Sequence, residues 1–240
     1  MTADNSRTHA SYADKPMEPS KYLPILKRVG WVLIGVGLLD IGVMAYCIVG
    51  GTSYSSSFNV FAVLAGVFLL RGSLRTAALV RWFAAFELTA LSALVFAWPF
   101  IVPLDLSLTL ARLHPFASFL GFAGATFILG LLSWAIRELG REPVQEAIAS
   151  QHVRQCNVRA AALLGLGLVV ILGVVMTSVR NSEAARRAIS IAESAAGPGY
   201  RFCVTSLNVR TGARGTVVSG AVAAWKDTEI KTIPIHWQEP

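Results

Sequence analysis

The stretch from Val29 to Val49, VGWVLIGVGLLDIGVMAYCIV, is uncharged except for Asp40. A helix of about 20 such residues crosses the ~30 Å hydrocarbon core of a bilayer. The run therefore makes this a membrane chain before any other residue is weighed. The acid inside it adds a second constraint. A carboxylate at bilayer depth is costly, so it is paired, hydrated or functional.

Four further apolar stretches repeat the pattern. With the first, about Arg28 to Gly50, they run from about Ser56 to Arg75, Arg81 to Val102, Pro115 to Ile136 and Ala160 to Val179. The second is the weakest, because its uninterrupted apolar core, Phe58 to Leu70, is short. The chain is 54% hydrophobic and 15% charged, against about 25% charged in soluble domains. The expected fold is a mainly α membrane protein with five transmembrane helices over 28–179. A polar segment, 1–27, precedes them and reads as a disordered cytoplasmic tail. The apolar run starts too late and continues too long for a cleavable signal. Residues 180–240 read as a small extracytoplasmic α/β domain.

The net charge of +7 follows the helix ends. Arg7, Lys15, Lys21, Lys27 and Arg28 precede the first span. Arg71, Arg75 and Arg81 surround the turn after the second, and Arg137, Arg141, Arg154 and Arg159 lie between the fourth and fifth. The opposite loops carry one Arg, Arg112. That alternation puts the N-terminus in the cytoplasm and the C-terminus outside. Trp31, Trp82 and Trp134 fall at inner ends and Trp98 at an outer end, as an aromatic belt does. Neither a recognition helix nor an aromatic-basic platform is present, so the positive charge does not point to nucleic acid. The layout resembles that of bacterial inner-membrane proteins, and no motif ties it to a named family.

Three charged residues lie within the apolar stretches. Asp40 is twelve residues past Arg28, about 18 Å deep at ~1.5 Å per residue. Arg71 and Glu87 sit at similar, shallower depths on neighbouring spans, which makes them candidates for an interhelical pair, with Arg71 alternatively snorkelling to the headgroups. Asp40 is left with three readings: neutral and hydrogen-bonded to a neighbouring helix, paired with Arg71, or lining a proton or cation path. Small residues recur at helix-contact spacing, Ala62 and Gly66, then Ala117, Gly121 and Ala125, then Ala161 and Gly165, as helices packing closely in lipid require.

Between the third and fourth spans, Leu104 to His114 alternates apolar and polar residues. This segment reads as a strand edge or as an interfacial segment on the outer leaflet. In the C-terminal domain, Ser182 can cap a helix running to about Ala196, with Ala184, Ala185, Ala188, Ile189 and Ala192 as its apolar face. Strands follow at Tyr200 to Val209, Thr216 to Trp225 and Glu229 to Trp237, giving a helix on a three-stranded antiparallel meander. Pro234 suits an edge strand, and an open edge can accept another chain.

Catalytic signatures are missing. The sequence contains no HExxH, no GxxxxGK[ST] and no GxSxG, and His9, His114, His152 and His236 are scattered. Cys47, Cys156 and Cys203 are far apart, which argues against a disulfide framework or a zinc site. Cys203, on the oxidising side, is a candidate for pairing between chains. No catalytic, cofactor-binding or metal-binding residue is expected. The expected function is non-enzymatic: an envelope interaction or assembly factor, in contact with the lipid bilayer, that binds a protein partner or a second copy through 180–240. A small transporter or channel subunit using Asp40, Arg71 and Glu87 is the alternative.

Overall fold

A computed structural model describes residues 19–51, 59–151, 153, 157–197, 199–212 and 215–239. The chain is mostly helical, with a small antiparallel sheet at its C-terminal end. The helices are α1 (Pro19–Val49), α2 (Asn59–Leu70), α3 (Leu74–Ile101), α4 (Leu104–Leu113), α5 (Pro115–Leu139), α6 (Glu142–Ser150), α7 (Val158–Arg180) and α8 (Glu183–Ala196). The strands are β1 (Arg201–Gly212), β2 (Gly215–Lys226) and β3 (Glu229–Glu239).

Among the described residues, four helices are long and apolar enough to cross a membrane: α1, α3, α5 and α7. The expected second span is the exception to the five. As described, α2 has 12 residues, about 18 Å at ~1.5 Å per residue, short of the ~30 Å core. Its limit is set by Arg71 and Gly72 (φ +80°), where a left-handed residue ends the helix.

The chain divides into two compact units, 1–88 with 130–164 and 89–129 with 165–240. In the first unit, α1 and α2 pack along one another. Gly30 and Gly66 allow the approach: a Cβ on Gly66 would lie 2.6 Å from Cγ1 of Ile34 and 2.7 Å from the carbonyl oxygen of Gly30. Close backbone contact of this kind supplies dispersion where lipid removes the hydrophobic drive between helices. The core of this unit joins Tyr22, Leu26 and Val29 of α1 to Leu69, Leu74, Ala77, Leu139, Val144 and Ile148. Residues 19–27, expected within a disordered tail, are thus helical and packed. Tyr22, Leu26 and Val29 recur at helical spacing and bury one face. The rest of that expected tail, 1–18, lies outside the described residues. The short helix α6 was not anticipated. It opens with Pro143 in its first turn, where a missing N–H costs nothing, and buries Val144, Ala147 and Ile148.

The second unit holds the sheet, in the order β1-β2-β3. Ser182 caps α8 as its sequence suggests: its side chain accepts from the backbone N–H of Ala185 at 3.2 Å, satisfying one orphan donor of the first turn. Ala188 and Ala192 then pack on Val218, Val222, Ile235 and Trp237. Alanine on the helix lets it sit close to the larger residues of the sheet. Pro234 lies on β3, an edge strand, as expected. The connector 104–114, expected as a strand edge or an interfacial segment, is not a strand but the helix α4.

Candidate interaction surface

The sheet has two unlike faces, because strand side chains alternate. On β2, Val218 and Val222 point to one face, and Ala223 and Trp225 to the other. The first is covered by α8. On the second, Ala223, Trp225 and Cys203 are buried with Leu106 of α4, and Val102 and Ile230 pack beside them. An ion pair between Arg201 and Asp105 ties β1 to α4 as well. Arg180 donates to the sulfur of Cys203 at 3.2 Å, so the C-terminal end of α7 is fastened to β1. Cys203 is a free cysteine and largely buried. Cys156 lies outside the described residues.

Only half of this second face is covered. The register aligns Asn208 with Ser219 and Ser219 with His236, forming a polar row across three strands. Ser206 and Arg210 flank it on β1, and Thr232 and Pro234 on β3. Ser206, Asn208, Arg210, Thr232, Pro234 and His236 are all exposed. The parity is set by β2, since a bulge between Val204 and Ser206 shifts the register of β1. Gly220 is required at the bulge: a Cβ there would lie 2.2 Å from the carbonyl oxygen of Ser206. Hydroxyl, amide, imidazole and guanidinium groups in one plane can hydrogen-bond a flat polar partner. The rim of β1 carries no proline, whereas Pro234 interrupts the donor line of β3.

A second polar group sits at the other end of the α8-covered face. Tyr200 donates its hydroxyl proton to Glu229 at 2.6 Å, and Lys231 donates to the Tyr200 oxygen at 3.2 Å. Lys231 also pairs with Glu229 at 3.0 Å, and the ammonium of Lys226 lies 4.6 Å from the Tyr200 ring centre. The Tyr200 hydrogen bond first, then that of Lys231, holds the Glu229 carboxyl below its ordinary value. The same contacts, that with Glu229 leading, raise Lys231.

The three charged residues of the apolar stretches are not assembled into one site. Leu70 packs against Gly30, so Arg71 lies about ten helical residues, roughly 15 Å, from the level of Asp40. Arg71 is exposed, while Asp40 and Glu87 are half-buried. Among the described residues, no ion pair joins Arg71 to either acid. Depth arithmetic along single helices matched Arg71 to Glu87 in height and carried no information about which way each faces. The acid that is most buried is another one, Glu138 near the end of α5, 4% exposed. Arg141 donates to its Oε1 at 2.7 Å. The i,i+3 spacing of the pair was the available signal.

No protein-family model, curated protein or solved structure matches this chain.

Proposed function

We propose that the chain is a non-enzymatic envelope interaction or assembly factor of a bacterial cytoplasmic membrane, acting through an extracytoplasmic domain at 180–240. The half-open sheet carries this reading. One face is covered by α8 over Val218, Val222, Ile235 and Trp237, and the other is covered only where α4 reaches it. The aligned row Asn208, Ser219 and His236 stays accessible, and β1 is an edge strand of the sheet. A surface of this kind suits a protein partner or a second copy better than a small molecule.

Two observations support the orientation. First, three helices long and apolar enough to cross, α3, α5 and α7, lie between the turn that holds Arg71 and Arg75 and the C-terminus, and three crossings would put the two on opposite sides whatever α2 does. That turn, with Arg137, Arg141 and Arg159, is rich in cations, as cytoplasmic loops are. Second, the packing of Leu23 beside Gly72 and Gly30 beside Leu70 supports an N-terminal end of α1 on the same side as that turn. The N-terminus is then cytoplasmic even though α2 is short.

Photocrosslinking in cells tests the function. A photoreactive residue at Asn208 or His236 is expected to capture a discrete protein, while one at Arg186, on the exposed side of α8, captures none. Failure at both sheet positions at native expression would remove the proposal. Activity that survives deletion of 180–240 and is lost with Asp40→Asn would favour transport instead.

A further inference from the structure

Helix α4 has two apolar faces, and only one of them meets protein. Leu106 and Thr109 are buried, Leu106 against the sheet. Leu104 and Leu108, one turn apart, are 57% and 56% exposed. At 3.6 residues per turn Leu104 lies about 160° from Leu106, on the opposite side of the helix. A water-facing helix would carry polar residues there. The ends of α4 are equally constrained. The chain leaves α3 at Ile101 and enters α5 at Pro115, so α4, about 15 Å long, begins and ends at one membrane boundary. The indole N–H of Trp98 donates to the Ser107 hydroxyl at 3.3 Å, placing a belt-type aromatic against it. Phe100 and Phe116 are likewise exposed on the neighbouring helix ends.

We infer that α4 lies along the outer-leaflet interface as a two-sided helix, with Leu104 and Leu108 in lipid and Leu106 under the sheet, and so seats the C-terminal domain on the membrane surface. The occupant of the exposed face is lipid because α4 is joined at both ends to apolar helices long enough to cross a membrane. Amphipathic helices enter the headgroup and acyl boundary by such faces. The Arg201–Asp105 ion pair then fixes the sheet relative to that helix. The inference rests on α3 and α5 crossing a bilayer.

The test is depth-dependent quenching in vesicles of phosphatidylethanolamine and phosphatidylglycerol. Single cysteines at Leu108, at Phe122 within α5, and at Asn208 on the sheet are labelled with an environment-sensitive fluorophore. The background is a variant with Cys47, Cys156 and Cys203 replaced by alanine. Doxyl groups near the top of the acyl chains are expected to remove most of the emission at Leu108. Groups near the chain centre remove it at Phe122, and neither affects Asn208. A Leu108 probe as unquenched as Asn208, with Phe122 quenched, overturns the interfacial helix alone. An unquenched Phe122 overturns the spanning helices and this inference with them.

Discussion

The contact between α1 and α2 and the middle of α5 carry the same small-residue spacing and come out opposite. Gly66 is buried against the backbone of Gly30. Gly121 has nothing within 4 Å of where a Cβ would be, and Ala117 and Ala125 beside it are exposed. Spacing permits close approach without causing it. At α1 and α2 the contact is held by a cluster of large side chains at one end, Leu26 and Leu69 among them. Among the described residues no such cluster flanks Gly121, whose neighbours Phe119, Leu120 and Phe122 are exposed.

Four substitutions bear on that contrast. The largest effect is expected from Leu26→Ala, which empties a fully buried site and costs about 2–5 kcal/mol. Thermal unfolding in detergent measures it, and Phe119→Ala, on the open face, should shift the transition little. Next is Gly66→Ala, where the new methyl meets Ile34 and the Gly30 carbonyl and costs about 1–3 kcal/mol. Gly121→Ala should leave stability unchanged or raise it slightly, since alanine favours helix by about 1 kcal/mol. If the two alanine variants unfold alike, the contrast is wrong.

A smaller effect extends the comparison to α8, whose packed face is alanine and which therefore leans on its cap. Ser182→Ala should cost about 1 kcal/mol, readable as earlier amide exchange across 183–187. The smallest is the pH response of Tyr200, Glu229 and Lys231. Glu229 is held below its ordinary value of 4.5, so its contribution is present above that value and fades as pH falls through the lowered one. Lys231 is raised above 10.5, so its share is present below that value and fades as pH rises through the raised one. Stability should be flat between these limits, and Glu229→Gln should remove the acid edge of the profile and weaken the alkaline one, which Tyr200 also supports. The group is exposed, so the effect is slight.

How much could be read in advance varied with how local the signal was. The cap at Ser182, the three strands and Pro234 at an edge were legible because turn chemistry and alternation act over a few residues. Helix α4 was legible only in part. LDLSLTLARL alternates like a strand, yet Leu106 and Thr109, three apart, are its buried residues, and period in so short a run does not decide between strand and helix. The packing of Tyr22, Leu26 and Val29 was written at helical spacing but hidden by the charged residues between them. The polar row Asn208, Ser219 and His236 needed the bulge at Thr205, which no single strand announces. Arg71 and Glu87 show the limit of depth alone, since facing depends on neighbours.

The central claim is that the half-open sheet faces the extracytoplasmic side, and cysteine accessibility at Asn208 tests it most directly. In the variant lacking Cys47, Cys156 and Cys203, Asn208→Cys should react with a membrane-impermeant maleimide added to intact spheroplasts. Gln151→Cys, in the cation-rich loop after α6, should react only after lysis. The reverse pattern would contradict the account, placing the sheet in the cytoplasm.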